Sequence, residues 1–297
     1  MKNVLALLFI SILVSCNAPT KNQIDYGSNS IAGKYMNVND IKVYYEVYGN
    51  GEPLLILHGN GGSIETLSTL IPELSKHFKV IAVDSRAQGR SSDSEKEMTY
   101  SLMASDMSEL IKKLNLGSIY VAGFSDGGVI GLELAYTHPE QVKKLVAFGA
   151  NYSHENYLAT EDSISMDKND PYILKVKSIR KQRAENASKR KFPKPVVTPE
   201  TKQKLEDLME KYPNFTEEQL KQISVPTLIA IGDHDIISLE HTIKLFKSLP
   251  HSYLFIIPGS SHVSLYEQPD MVNSEIIKFL DTRYRDIDRY YPWKIPK

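Results

Sequence analysis

The sequence predicts an α/β fold: a mostly parallel central sheet with helices on both faces, and a helical cap inserted into it. Three observations predict this. Short continuous apolar runs recur at 53–57, 79–83, 118–122, 144–148, 227–231 and 253–257, as expected of strands buried on both faces. Stretches with helical spacing separate most of them, and strand–helix–strand order implies parallel pairing through right-handed crossovers. From 153 to 222 no buried-strand pattern occurs, charge is dense and the helices read as amphipathic.

The chain opens with Met1-Lys2-Asn3, a short positive start, followed by an apolar run over 4–14 broken only by Ser11. Eleven residues rise about 16 Å as a helix, short of a hydrocarbon core of about 30 Å. Residues 1–15 therefore read as a signal peptide. The tail Leu13-Val14-Ser15-Cys16 resembles the lipobox of bacterial lipoproteins. That resemblance implies lipid attachment at Cys16, a membrane-anchored protein of the cell envelope, and a flexible polar tether over 16–31. An ordinary secretory signal cut near Ala18 is the other reading.

Residues 32–152 and 223–297 are assigned to the core. Strands at 35–38 and 41–48 flank a turn, giving a hairpin. The 53–57 strand leads into His58-Gly59-Asn60-Gly61-Gly62, then a helix over about 63–77, a strand at 79–83 and a helix at 101–114. A strand at 118–122, a helix at 127–137 and a strand at 144–148 follow. Residues 153–222 form the expected cap, with nine basic residues and one acid over 175–194. This basic stretch reads either as a solvated helix face or as an attractor for anions or an anionic membrane. Strand, helix, strand and helix resume at 227–231, 239–249, 253–257 and 269–280.

Composition narrows the function classes. Lys+Arg 35 against Asp+Glu 36 leaves a formal charge of -1, so nothing global points to nucleic acid. One cysteine rules out an intrachain disulfide framework and a cysteine-rich metal site. The glycines after the 53–57 strand fit neither phosphate-binding fingerprint. No cofactor and no metal are expected.

Gly123-Phe124-Ser125-Asp126-Gly127 matches G-x-S-x-G between a strand and a helix, the pattern of a nucleophile elbow that exposes a serine Oγ on a strained turn. A serine needs a base, and parallel strands point their C-terminal ends at one rim. His262 directly follows the last strand and is the first choice; His234, in another rim loop, is second. His58 is also at the rim. His77, His138, His241 and His251 read as surface residues. The imidazole needs a carboxylate on its far nitrogen. Asp235 lies farther into the loop after the 227–231 strand than Asp233, which reads as holding the turn. Oxyanion stabilisation would come from the backbone N–H of Asp126 and that of Asn60, with Gly61 second. Phe124, Asp126 and His58 are candidates to contact substrate.

With these residues in place, the chain from about Gly33 to Leu280 resembles the capped α/β-hydrolases. Asp84-Ser85-Arg86-Ala87-Gln88-Gly89-Arg90-Ser91 is similar to that family's D-x-R-G-x-G-x-S loop, with Ala87 where glycine is usual. The Ser-Asp-Gly-Gly of the elbow and Phe148-Gly149-Ala150-Asn151 look most like the valacyclovir-hydrolase branch and related esterases. The resemblance implies acyl transfer on a small-molecule ester, lactone, thioester or activated amide. A serine, rather than an aspartate, at position 125 argues against epoxide or halide chemistry. Asp126 then has two readings: a receptor for a substrate amine, as that branch suggests, or a brace between loops. A carbon–carbon bond hydrolase using Arg180 and Arg183, and a non-catalytic ligand-binding or signalling protein, are the alternative functions.

Overall fold

The computed structural model describes residues 24–155 and 198–287, together with the isolated helical positions 174, 177, 178 and 181. Residues 1–15, read as a signal peptide, together with Cys16, Arg180, Arg183 and nearly all of the basic stretch, lie outside the described residues. No helix among the described residues is long and apolar enough to cross a membrane.

Eight strands form one sheet in the order β1-β2-β4-β3-β5-β6-β7-β8. They are β1 Gly33–Val38, β2 Ile41–Tyr48, β3 Pro53–Leu57, β4 Lys79–Val83, β5 Ile119–Phe124, β6 Val142–Phe148, β7 Thr227–His234 and β8 Ser252–Ser261. β1, β2 and β4 pair antiparallel. From β4 through β8 every pairing is parallel. The helices are α1 Ile71–Leu74, α2 Tyr100–Lys113, α3 Asp126–Thr137, α4 Pro199–Lys211, α5 Glu217–Gln222, α6 Leu239–Ser248, α7 Ser264–Glu267 and α8 Pro269–Asp281.

The apolar runs divide by strand periodicity into two cores. Leu55 and Leu57 of β3 join Met103, Met107, Val129 and Leu132 of α2 and α3 on one face. Leu54 and Ile56 join Ile71, Leu74, Val272 and Ile276 of α1 and α8 on the other. The chain leaves β3 toward one face and β5 toward the other, although the two strands are neighbours. Their C-terminal loops therefore diverge and open a crevice, where α/β sheets place their ligands.

Several elements differ from the sequence reading. In place of one helix over 63–77 there is a 3-10 turn at Ile64–Leu67 and the short α1. Pro72 has no N–H for a helix running through from residue 68, and the Asp84 carboxylate takes the Ile64 N–H at 2.7 Å. β7 and β8 run past their apolar runs, through a register shift, to the pair His234 and Ser261. The segment expected to be a tether is docked over its last part. Buried Glu46 accepts the N–H of Gly27 at 2.8 Å and of Asn29 at 2.9 Å, together with the hydroxyls of Tyr44 and Tyr48, both at 2.7 Å. Arg90 Nε donates to the Gly27 carbonyl. Between β6 and β7, α4 buries Thr201, Leu205 and Leu208, and α5 buries Leu220, as amphipathic helices do.

The chain leaving β6 and the chain entering α5 are pinned together. Ser153 and Asn214 form an isolated antiparallel bridge, and the Phe215 N–H donates to the Tyr152 carbonyl. His241, expected at the surface, is buried here. Its ring stacks on Tyr152 at 4.1 Å, and Nε2 accepts the Tyr152 N–H at 3.1 Å. Burial, with Lys244 nearby, lowers its pKa to about 4, so the ring stays neutral and able to accept.

Candidate active site

Ser125 sits between β5 and α3 with φ 54 and ψ -122, a conformation an L residue adopts only when its surroundings impose it. The Ser125 N–H donates to Phe148 O at 2.7 Å, and Ser125 O accepts from Gly128 N at 2.8 Å. The flanking glycines are required by contact. A Cβ on Gly123 would lie 2.0 Å from Gly127 O, and one on Gly127 would lie 2.4 Å from Leu57 O. Strand β5, helix α3 and the end of β3 meet at backbone distance, so the turn is tight and the serine stands clear of neighbours.

His262 follows β8. Its Nε2 is 3.1 Å from Ser125 Oγ and its Nδ1 is 2.7 Å from Asp235 Oδ1. Asp235 comes from the loop after β7, and its side chain is fully buried. The Ile237 N–H donates to the same Oδ1 at 2.9 Å, while Oδ2 has no donor among the described residues. One amide and the imidazole are therefore its neutralising partners. The arrangement orients Nδ1–H toward the carboxylate and leaves Nε2 free to accept the serine proton.

The loops carrying this array are braced by two carboxylates. Asp233 accepts the N–H of Gly259 at 2.9 Å and of Ser260 at 3.0 Å, which matches its reading as a turn holder. Glu267 of α7 accepts from Ser261 N at 2.7 Å and from the hydroxyls of Ser260 and Ser261, both at 2.8 Å. Sequence reading missed Glu267; the available signal was an acid five residues past His262 on a helical turn. His234 is exposed and pairs with Asp233, while the contact with Ser125 is made by His262.

The loop after β3 closes the other side. A Cβ on Gly59 would lie 2.9 Å from Ser125 Cβ, so the loop rests on the elbow. Neither the Asn60 N–H nor the Asp126 N–H has a protein acceptor among the described residues. Asp126, a substrate-contact candidate, is 5% exposed. Its carboxylate accepts from Asn60 Nδ2 at 2.9 Å and from the Tyr100 side chain. Burial pushes its pKa up to about 6, against the opposing effect of Asn60, Tyr100 and His262.

His58, another such candidate, is 1% exposed and has both ring nitrogens engaged. Nε2 accepts the Ser85 N–H at 3.0 Å, and Nδ1 lies 2.8 Å from the Gly59 carbonyl. It braces two rim loops and presents no free nitrogen to a ligand. The Phe124 ring lies against His262, 5.2 Å between centroids.

The 84–91 loop supports the site from behind. Arg86 is buried and forms a two-pronged ion pair with Asp106, with both N–O distances 2.8 Å, and a further pair with Asp40. Among the described residues, no group of three or more His, Cys, Asp or Glu is arranged to hold a metal ion.

This fold and site define an α/β-hydrolase: residues 52–214, more than half of the chain, match the family model described as alpha/beta hydrolase fold, and the chain belongs to that family. Among its relatives is a Haemophilus influenzae protein provisionally named an esterase/lipase, 27% identical over 254 residues, or 78% of this chain and 84% of that one. The 2-hydroxy-6-oxo-6-(2'-aminophenyl)hexa-2,4-dienoic acid hydrolase of Metapseudomonas resinovorans is 25% identical over 278 residues, 86% of this chain and 93% of that one. The solved structure of an alpha/beta hydrolase from a Medee basin deep-sea metagenome library superposes with a TM-score of 0.71 at 19% identity, covering 86% of this chain and all of that one.

Proposed function

We propose that the protein is a serine hydrolase acting on a small-molecule carboxylic ester. Ser125 Oγ attacks the acyl carbon while His262 Nε2 takes its proton, and Asp235 orients the ring and stabilises the imidazolium. The negative charge that develops on the acyl oxygen is met by the N–H groups of Asn60 and Asp126. His262 then protonates the leaving alkoxide, and an acyl group remains on Ser125. Water, activated by the same imidazole, releases it as a carboxylate. Lactones, thioesters and activated amides fit the same sequence of steps.

The observation that carries this reading is the single imidazole held at 3.1 Å from Ser125 Oγ and 2.7 Å from Asp235 Oδ1. The test is turnover of p-nitrophenyl acetate by a chain lacking residues 1–16. Ser125→Ala should lower kcat at least about 10⁴-fold, and a variant retaining a tenth of the activity would sink the assignment.

The Metapseudomonas relative supports a second reading, cleavage of a carbon–carbon bond in a keto acid by the same three side chains. Such a substrate calls for an arginine at its carboxylate. Arg86 is committed to Asp106 and Asp40, and Arg90 to the Gly27 carbonyl. Arg285 follows α8, with its N–H on the Tyr253 hydroxyl near the start of β8, at the far end of the sheet. Arg180 and Arg183, the arginines named for that role, lie outside the described residues, so turnover of a keto acid against that of an ester separates the two readings.

The N-terminal 16 residues support export and lipid anchoring at Cys16. Cys16→Ser should abolish incorporation of a labelled fatty acid and release the protein from the membrane fraction; unchanged labelling would refute the anchor.

A further inference from the structure

Asn60, in the loop after β3, and Asp126, the first residue of α3 after β5, are 66 positions apart in the chain and meet through their side chains. Asn60 Nδ2 carries two hydrogens and spends them on two partners: Asp126 Oδ2 at 2.9 Å, and the Leu205 carbonyl of cap helix α4 at 3.3 Å. On its far side the carboxylate meets Tyr100, a residue at the start of α2 that is 2% exposed. Helix α4 is fastened to the same rim by Lys204, whose Nζ lies 3.0 Å from Asp93 Oδ2. The main chain of the Asn60 loop is also held by the turn bond from Gly62 N to Gly59 O at 3.0 Å and by buried His58, whose Nδ1 lies 2.8 Å from the Gly59 carbonyl.

We propose that Asn60 and Asp126 are positioning residues whose side chains form a strut, fixing the two backbone N–H groups assigned to the oxyanion and joining them to the cap at Leu205; the catalytic half of this proposal rests on the hydrolytic reading above. Oxyanion stabilisation depends on dipoles held still while charge develops. One donor sits on the loop after β3 and the other on the first residue of α3, and among the described residues this hydrogen bond links the two side chains directly. A displacement of α4 would pull on Asn60 and so disturb the donors, which couples the cap to the chemistry. A carboxylate this buried, with two donors in place, is also a poor receptor for a substrate ammonium group. The strut therefore makes the site indifferent to an amine on the acyl group.

Two measurements test this. The first compares p-nitrophenyl acetate with the p-nitrophenyl ester of alanine. Asn60→Ala and Asp126→Ala should each lower kcat about 10- to 100-fold on both esters with KM within about threefold, less than the full loss of a donor. Asp126→Asn should recover most of that loss, because an amide accepts from Asn60 and donates to the Tyr100 hydroxyl. A loss confined to the alanyl ester, or a rise in its KM alone, would overturn the proposal in favour of an ammonium receptor. Unchanged kcat in both alanine variants would overturn it outright.

The second measurement needs no turnover. Thermal unfolding of the parent, Asn60→Ala, Asp126→Ala and the double variant should show the double loss to be clearly smaller than the sum of the single losses; additive losses would remove the strut. If the parent neither cleaves esters nor reacts with a fluorophosphonate probe, the hydrolytic reading fails, and the unfolding cycle still decides whether the strut exists.

Discussion

The first turn of α3 and the end of β7 each place an aspartate beside the reacting array, Asp126 next to Ser125 and Asp233 two residues before Asp235. Their proton affinities are driven apart. Asp126 is closed off from water and holds side-chain donors only, and burial carries its pKa up to about 6. For Asp233 the burial effect is outweighed by the Gly259 and Ser260 amides and by His234, and its pKa falls to about 2. The same residue type at the same rim thus braces by two different means. Fixed backbone N–H groups stabilise the charged form, whereas a buried pocket with neutral side-chain donors leaves it costly.

The largest expected effect separates the two aspartates at the end of β7, Asp233 in the strand and Asp235 just past it. In Asp235→Asn, the one Oδ1 position that takes both the Ile237 N–H and His262 Nδ1 is filled by an uncharged amide oxygen, or by an amide nitrogen that faces two N–H groups. Either way the imidazolium that forms on proton transfer loses its buried counter-charge. We expect kcat to fall about 10⁴-fold. Asp233→Asn removes one acceptor from a two-amide brace and should cost about tenfold or less. Equal losses in the two variants would mean that Asp235 also acts as a loop brace and that the division of labour is wrong.

How much of this was legible beforehand follows from what each feature depends on. The six buried strands were readable because burial on both faces leaves an unbroken apolar run. The meeting of Ser125, Asp235 and His262 was readable because parallel strands deliver their following loops to one rim. His241 was not readable: it is amphipathic on a surface helix, and the backbone it serves, Tyr152, lies 89 positions away. Glu46 reads as a polar break in β2, and its burial is explained by four donors, the amides of Gly27 and Asn29 and two tyrosine hydroxyls of its own strand. The Asn60–Asp126 pairing needs two loops placed by the strand order itself. Long-range polar satisfaction leaves no periodic trace, which is why these features were missed and the sheet was not.

An intermediate effect tests the opposite proton affinities. Asp126 has a folded-state pKa raised above its unfolded value of about 4. The folded chain then binds the proton more tightly, and stability from this group declines as pH rises from about 4 through 6. Asp126→Asn removes that cost. Relative to the parent, its stability should improve by about 1–3 kcal/mol between pH 4.5 and pH 8. Asp233 has the reverse sign: its contribution is present above about pH 4 and lost as pH falls through about 2. With water reaching that carboxylate, the amount is about 1 kcal/mol or less. Paired thermal unfolding curves for the Asp126→Asn and Asp233→Asn variants across pH would check both. Parallel pH trends would show that the two braces do not differ in kind.

The smallest effect concerns Ala87, in the loop after β4, where a locally unfavourable state is again held by its surroundings. Ala87 has φ 62, the left-handed region that favours glycine. Its neighbours fix it there: the Ala87 N–H donates to Ser92 O at 3.1 Å, the Ser85 N–H to His58, and the Arg86 guanidinium is locked by Asp106. For an L residue that backbone costs roughly 1–2 kcal/mol, and Ala87→Gly would relieve it. The substitution also loosens the unfolded chain, which costs about 0.4–1 kcal/mol. It further deletes a methyl packed against the α2–α3 core, at up to about 0.8 kcal/mol. These contributions offset, so Ala87→Gly should change stability by less than about 0.5 kcal/mol and leave kcat unaltered. A gain above about 1 kcal/mol would mean the strain is uncompensated. A loss of that size would mean that the methyl contact, rather than tolerance of the backbone, is what keeps alanine in a glycine position.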